Sequence, residues 1–76
     1  MDDARKKLLL EKIREAGELL VGRLPPSSRH PKGRNPYAHI PKVIKDAAGG
    51  ISYKDLPDEA LKYILEIIQY CEENPF

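Results

Sequence analysis

Pro25, Pro26, Pro31 and Pro36 all fall between residues 25 and 36. Proline has no amide hydrogen, and its ring clashes with the carbonyl four residues back, so no helix runs through such a segment. On both sides of it, apolar residues recur every three or four positions, the spacing of a helix surface. A chain built this way must fold helices back on one another across a proline-rich connection. The expected fold is all-α: a small helical hairpin with a long N-terminal helix, a basic Pro-rich loop, a short middle helix and a C-terminal helix. Residues 1–76 leave room for one domain and one modest core.

The first helix is expected over residues 3–23, with Asp2 and Asp3 at the end where the helix dipole favours acids. Leu9, Ile13, Ala16 and Leu20 make one stripe, which Leu10, Gly17, Val21 and Leu24 widen. Gly17 costs ~1 kcal/mol of helix propensity, which a close helix–helix approach offsets. A rod of about 30 Å is long for the remaining chain to cover. A second copy is therefore expected on part of the stripe, making the chain a homodimer with Leu9, Ile13 and Leu20 at its interface. Tyr63 and Tyr70 share one side of the last helix and are candidate partner anchors, the alternative being simple shielding of the core edge.

The loop is expected over residues 25–36, extended and solvated. A short helix over about 37–48 then follows Pro36 or Pro41, with Pro41 suited to a first turn and Gly49-Gly50 to the C-terminal cap. Ser52 and Asp55 have the spacing of a capping box. The last helix is expected over 57–73, ending at Asn74-Pro75. It should run antiparallel to the first, with the middle helix packed across one end.

The net charge of +1 conceals an asymmetry of +6 over residues 1–45 against −5 over 46–76. No acid occurs between Glu18 and Asp46, whereas Arg23, Arg29, Lys32, Arg34, Lys42 and Lys45 do, with His30 and His39. A field of one sign attracts polyanions whatever the overall charge. Folding of the segment back onto the acidic last helix is the competing expectation.

Within the loop, Pro31-Lys32-Gly33-Arg34-Asn35-Pro36 resembles the Pro-Arg-Gly-Arg-Pro core of an AT-hook, with Lys32 replacing the first arginine and Asn35 separating Arg34 from the proline. The resemblance implies basic side chains laid along a minor groove. Arg29, His30, Lys32, Arg34, Lys42 and Lys45 are accordingly candidate phosphate contacts, and Tyr37 a candidate stacking platform for an unpaired base.

Residues 37–64 carry a second pattern: a helix with Ile40, Val43 and Ile44, then Gly49-Gly50-Ile51-Ser52-Tyr53-Lys54-Asp55-Leu56-Pro57, then Ala60, Leu61 and Ile64. This resembles the C-terminal helical region of phage antirepressors and related phage regulatory proteins. The resemblance implies a regulatory setting of that kind. Each part of the turn also has a plain structural explanation, since glycine ends one helix and serine caps the next.

Other chemistries find little support. Cys71 is the sole cysteine and sits on an apolar helix face, where it acts as a small hydrophobe. His30 and His39 would need further metal ligands that no spacing brings together. Carboxylates pair only as helix-surface residues such as Glu72-Glu73. The expectation is a non-enzyme without metal or cofactor, cytoplasmic, with neither a signal peptide nor a membrane span. Its expected partner is DNA or RNA; the alternative is a protein, with the chain serving as an interaction adaptor through its amphipathic helices.

Overall fold

A computed structural model of the chain describes residues 1–26 and 34–75. Arg29, His30 and Lys32 lie outside the described residues, as does most of the proposed hook.

Helix α1 spans Asp3–Leu20, α2 spans Pro36–Ala47 and α3 spans Leu61–Glu73. Among the described residues there is no strand, so the all-α expectation holds. Asp2 caps α1 by accepting the Arg5 amide at 2.8 Å. The helix ends at Leu20, before the predicted residue 23, because Gly22 takes a left-handed φ of 75°. That turn brings Leu24 back into the core ahead of the two prolines.

At α2 the Asn35 side chain accepts the Tyr37 amide at 2.9 Å, and Pro36 occupies the first turn. Of the two prolines expected at the start of this helix, Pro36 takes the first turn, and Pro41 sits inside the helix instead of in its first turn. Pro41 has no amide to donate to the Tyr37 carbonyl one turn back. The C-terminus matches the sequence closely. Gly49 and Gly50 both have positive φ, and the Gly50 amide reaches back to the Lys45 carbonyl at 2.8 Å.

Ser52 caps a single 3-10 turn, Tyr53–Asp55, through the Lys54 amide rather than capping the last helix directly. A second 3-10 turn, Asp58–Ala60, leads into α3.

All three helices pack on one another. Leu9, Ile13, Ala16 and Leu20 of α1 meet Ile40 and Ile44 of α2 and Ile64, Ile68 and Cys71 of α3. Leu24 and Tyr53 close the cluster from the connections. The Asp2 amide donates to Asp58 Oδ1 at 2.9 Å, and the Arg5 guanidinium pairs with Asp2 and, at 3.7 Å, with Asp58. The starts of α1 and of the α3 segment thus lie together. This corrects the expected antiparallel pairing of these two helices. The returning helix is α2, whose first turn meets the last third of α1, where Tyr37 packs against Gly17.

A further correction concerns the residues expected at the dimer interface. Leu9 and Leu20 are completely buried and Ile13 nearly so, all within the chain's own core. Those three residues are not left for a second copy, whereas Leu10 and Val21 beside them stay exposed. The reason is geometric: two helices lie on α1 instead of one, so the stripe is covered from both sides.

Ile64 has no exposed surface and sits at the centre of this cluster. Ile64→Ala should lower unfolding stability by about 2–5 kcal/mol. The check is a urea titration, in which the midpoint falls while the slope stays constant.

Candidate nucleic-acid interface

Helix periodicity decides where the basic residues of α2 point. The buried Ile40 and Ile44 turn inward, which leaves Lys42 and Lys45, one turn apart, on an exposed face. The double glycine after α2 reverses the chain, and the 3-10 turn that follows returns beside the helix. A shallow depression of about 510 Å³ results, lined by Pro41, Lys42, Lys45, Ser52, Tyr53 and Lys54. Lys54 Nζ stands 6.0 Å from the centre of the Tyr53 ring, within range of a cation–π attraction.

Every ion pair within the described residues takes its base from α1: Arg5, Lys6 or Lys12. Arg34, Lys42, Lys45 and Lys54 form none there. Asp46 and Asp55 follow Lys45 and Lys54 in sequence, but neither makes an ion pair among the described residues. The acids of α3 are equally unengaged with these bases. The competing expectation, neutralisation of the basic segment by the last helix, finds no ion pair among the described residues.

Arg34 is half-buried, and its Nε and Nη2 atoms have no hydrogen-bond partner among the described residues. Those two N–H groups make the edge of the guanidinium fork that receives a carboxylate or phosphate side-on. His39 is half-buried nearby. Burial lowers its pKa below the ordinary 6.5, and the positive charges of Arg34 and Lys42 lower it further.

A second depression, about 440 Å³, lies between α1, α2 and the 3-10 turn. Its apolar lining is Leu10, Ile13, Tyr37, Pro41 and Tyr53, and Arg14 and Glu18 supply the polar part. Pro41 and Tyr53 line both depressions, which therefore adjoin. Tyr37 is held at the edge of this groove by Gly17. A Cβ on Gly17 would stand 2.5 Å from Tyr37 Cδ1 and 2.8 Å from Cε1. The close approach expected of Gly17 is thus a ring laid on bare helix backbone.

Of the sequence-derived set, Arg34, Tyr37, Lys42 and Lys45 are carried on α2 or the residues just before it. Tyr63 and Tyr70 are more than half exposed on α3. Cys71 is buried, which pushes its thiol pKa up, with the Glu72 carboxylate adding to the shift. Among the described residues no cluster of metal-ligating side chains occurs, and no helix is long and apolar enough to cross a membrane. Sequence reasoning missed Lys54, Arg14 and Glu18. Lys54 could have been found from the Gly49-Gly50 reversal, which returns the chain toward Lys45; nothing local marks Arg14 or Glu18.

No known family, no curated protein and no solved structure matches this chain.

The lowered pKa of His39 sets a sign for pH dependence. The unfolded chain binds a proton at the ordinary value of 6.5, and the folded chain only at lower pH. The stability tied to neutral His39 is full above that value and is lost as pH falls through the folded value. Urea midpoints measured downward from pH 7 should decline, and His39→Gln should flatten that part of the decline.

Proposed function

We propose that this chain is a small non-enzymatic regulatory or accessory module that binds nucleic acid through the cationic face of α2 and the turn after it. One observation carries the reading: Lys42, Lys45 and Lys54 border one depression beside α2 without an ion pair among the described residues. Holding like charges together without counter-charges is unfavourable, and a bound polyanion relieves it while releasing its own condensed counterions. Shape argues the same way. The lysines border a shallow depression rather than a closed pocket, which suits a phosphate backbone that runs past. The regulatory part of the reading rests on the resemblance of residues 37–64 to the C-terminal helical region of phage antirepressors and related phage regulatory proteins.

Fluorescence anisotropy with labelled DNA at low and physiological salt tests this. Micromolar binding at low salt is expected, with affinity falling steeply as salt rises. Replacing Lys42, Lys45 and Lys54 together by alanine should weaken binding alike for all sequences, and the salt slope should shrink by about 1 for each lysine that neutralises a phosphate. Absence of binding at low salt, or a triple variant that binds like the parent, overturns the reading.

A second reading, protein interaction, is favoured by Tyr63 and Tyr70, which are 56% and 57% exposed. Tyrosine is enriched among the residues that anchor partner surfaces, and a second copy of this chain is one partner to test. Sedimentation should then show mass rising with concentration, and the Tyr63→Ala/Tyr70→Ala variant should remain monomeric. A parent chain that stays monomeric at high micromolar concentration removes the dimer.

A further inference from the structure

The lysine-bordered depression explains attraction to a polyanion but makes no use of the groove that adjoins it. We infer that this groove takes one unpaired nucleobase, stacked on Tyr37, while the flanking phosphates lie over Lys42, Lys45 and Lys54, so that the ligand is single-stranded nucleic acid. The inference rests on the nucleic-acid reading above and narrows it.

Three observations support it. First, Tyr37 is a prepared platform. One edge of its ring is seated on the Gly17 backbone, yet the residue remains 43% exposed and lines the groove. A ring held in place loses little freedom when a base stacks on it, and stacking works with every base because each has a π-face. Second, the groove matches a base in character as well as shape. Its lining is mostly apolar, yet Arg14 and Glu18 lie one turn apart on α1 with no ion pair to each other or to any described residue. Glu18 can accept from an exocyclic amino group, and Arg14 can donate to a ring nitrogen or carbonyl.

Third, Pro41 and Tyr53 join the apolar groove to the cationic depression. A nucleotide has this same division, a flat apolar body beside an anionic backbone. In a duplex the base faces are stacked and the pairing edges occupied, so only an unpaired base can present both to the groove. An acidic peptide could satisfy the lysines, but an aliphatic side chain in the groove would bring no donor for Glu18.

The test compares three labelled probes of equal length at low salt: oligo(dA), an abasic strand with the same phosphates, and the oligo(dA)·oligo(dT) duplex. Oligo(dA) should bind on the order of ten-fold or more tighter than the abasic strand, the range for loss of one stacked base. Tyr37→Leu should remove that advantage while leaving abasic binding unchanged. Glu18→Ala, on an exposed position, should reduce the advantage and guards against a Tyr37 variant that fails to fold. In the parent chain, backbone amide signals of Gly17 and Tyr37 should shift with oligo(dA) and not with the abasic strand.

Equal affinity for oligo(dA) and the abasic strand overturns the inference and leaves the nucleic-acid reading standing. Tighter binding of the duplex than of oligo(dA) does the same. Binding of none of the three overturns both. Polyglutamate that shifts the same groove amides and displaces oligo(dA) as well as unlabelled oligo(dA) does overturns it in favour of an acidic peptide.

Discussion

Leu9, Ile13, Ala16 and Leu20 are shielded almost wholly from water because α2 and α3 both lie on the same stripe of α1. Each fully buried aliphatic side chain contributes roughly 1.5–3 kcal/mol against its exposed state, and a chain this short has few of them. Taking α2 away would expose Ile40 and Ile44 together with half the stripe they cover. The placement of α2 therefore follows from the core, and the placement of every candidate binding residue follows from α2.

That dependence explains why the charges are arranged as they are. Once Ile40 and Ile44 point inward, helical periodicity leaves Lys42 and Lys45 no inward position. The Gly49-Gly50 reversal then returns Tyr53 to the core, where it is nearly buried, and Tyr53 carries Lys54 to the same side. Packing requirements thus gather like charges that no ion pair among the described residues offsets. The ion pairs that do form are at the exposed surface of α1 and contribute little individually. Those of Asp2, Arg5 and Asp58 act mainly by setting which ends of α1 and α3 meet.

Gly17 links the fold to the candidate site most directly. A side chain there would improve helix propensity but collide with Tyr37. With hydrogen in that place, the first turn of α2 rests on α1 and an aromatic ring stands at the mouth of a groove. The same contact that positions α2 also orients the ring proposed to receive a base. Helical glycine is otherwise hard to account for here, since Gly17 has no positive φ and ends no helix.

Much of this was determined locally and could be read from the chain. Proline and glycine chemistry decides where helices cannot continue, so the limits of α2, the end of α3 and the left-handed cap at Gly49-Gly50 followed from residue type. Helix α3, by contrast, begins at Leu61 rather than at the expected residue 57, because a 3-10 turn takes its first residues. The helical stripes and the acid-free basic segment were legible for the same reason: periodicity and charge are properties of the sequence itself. What required the tertiary structure was every relation between elements. Periodicity says that α1 has an apolar stripe but not how many helices will cover it, so the stripe was open to reading as a dimer interface. Nor does it say which helix returns along α1, since a loop of this length permits either direction. The groove of Arg14, Glu18 and Tyr37 is assembled from residues far apart in the chain, and the adjacency of Lys54 to Lys45 depends on how a turn packs. Such adjacencies are decided by burial of side chains elsewhere in the core, and no local pattern encodes them.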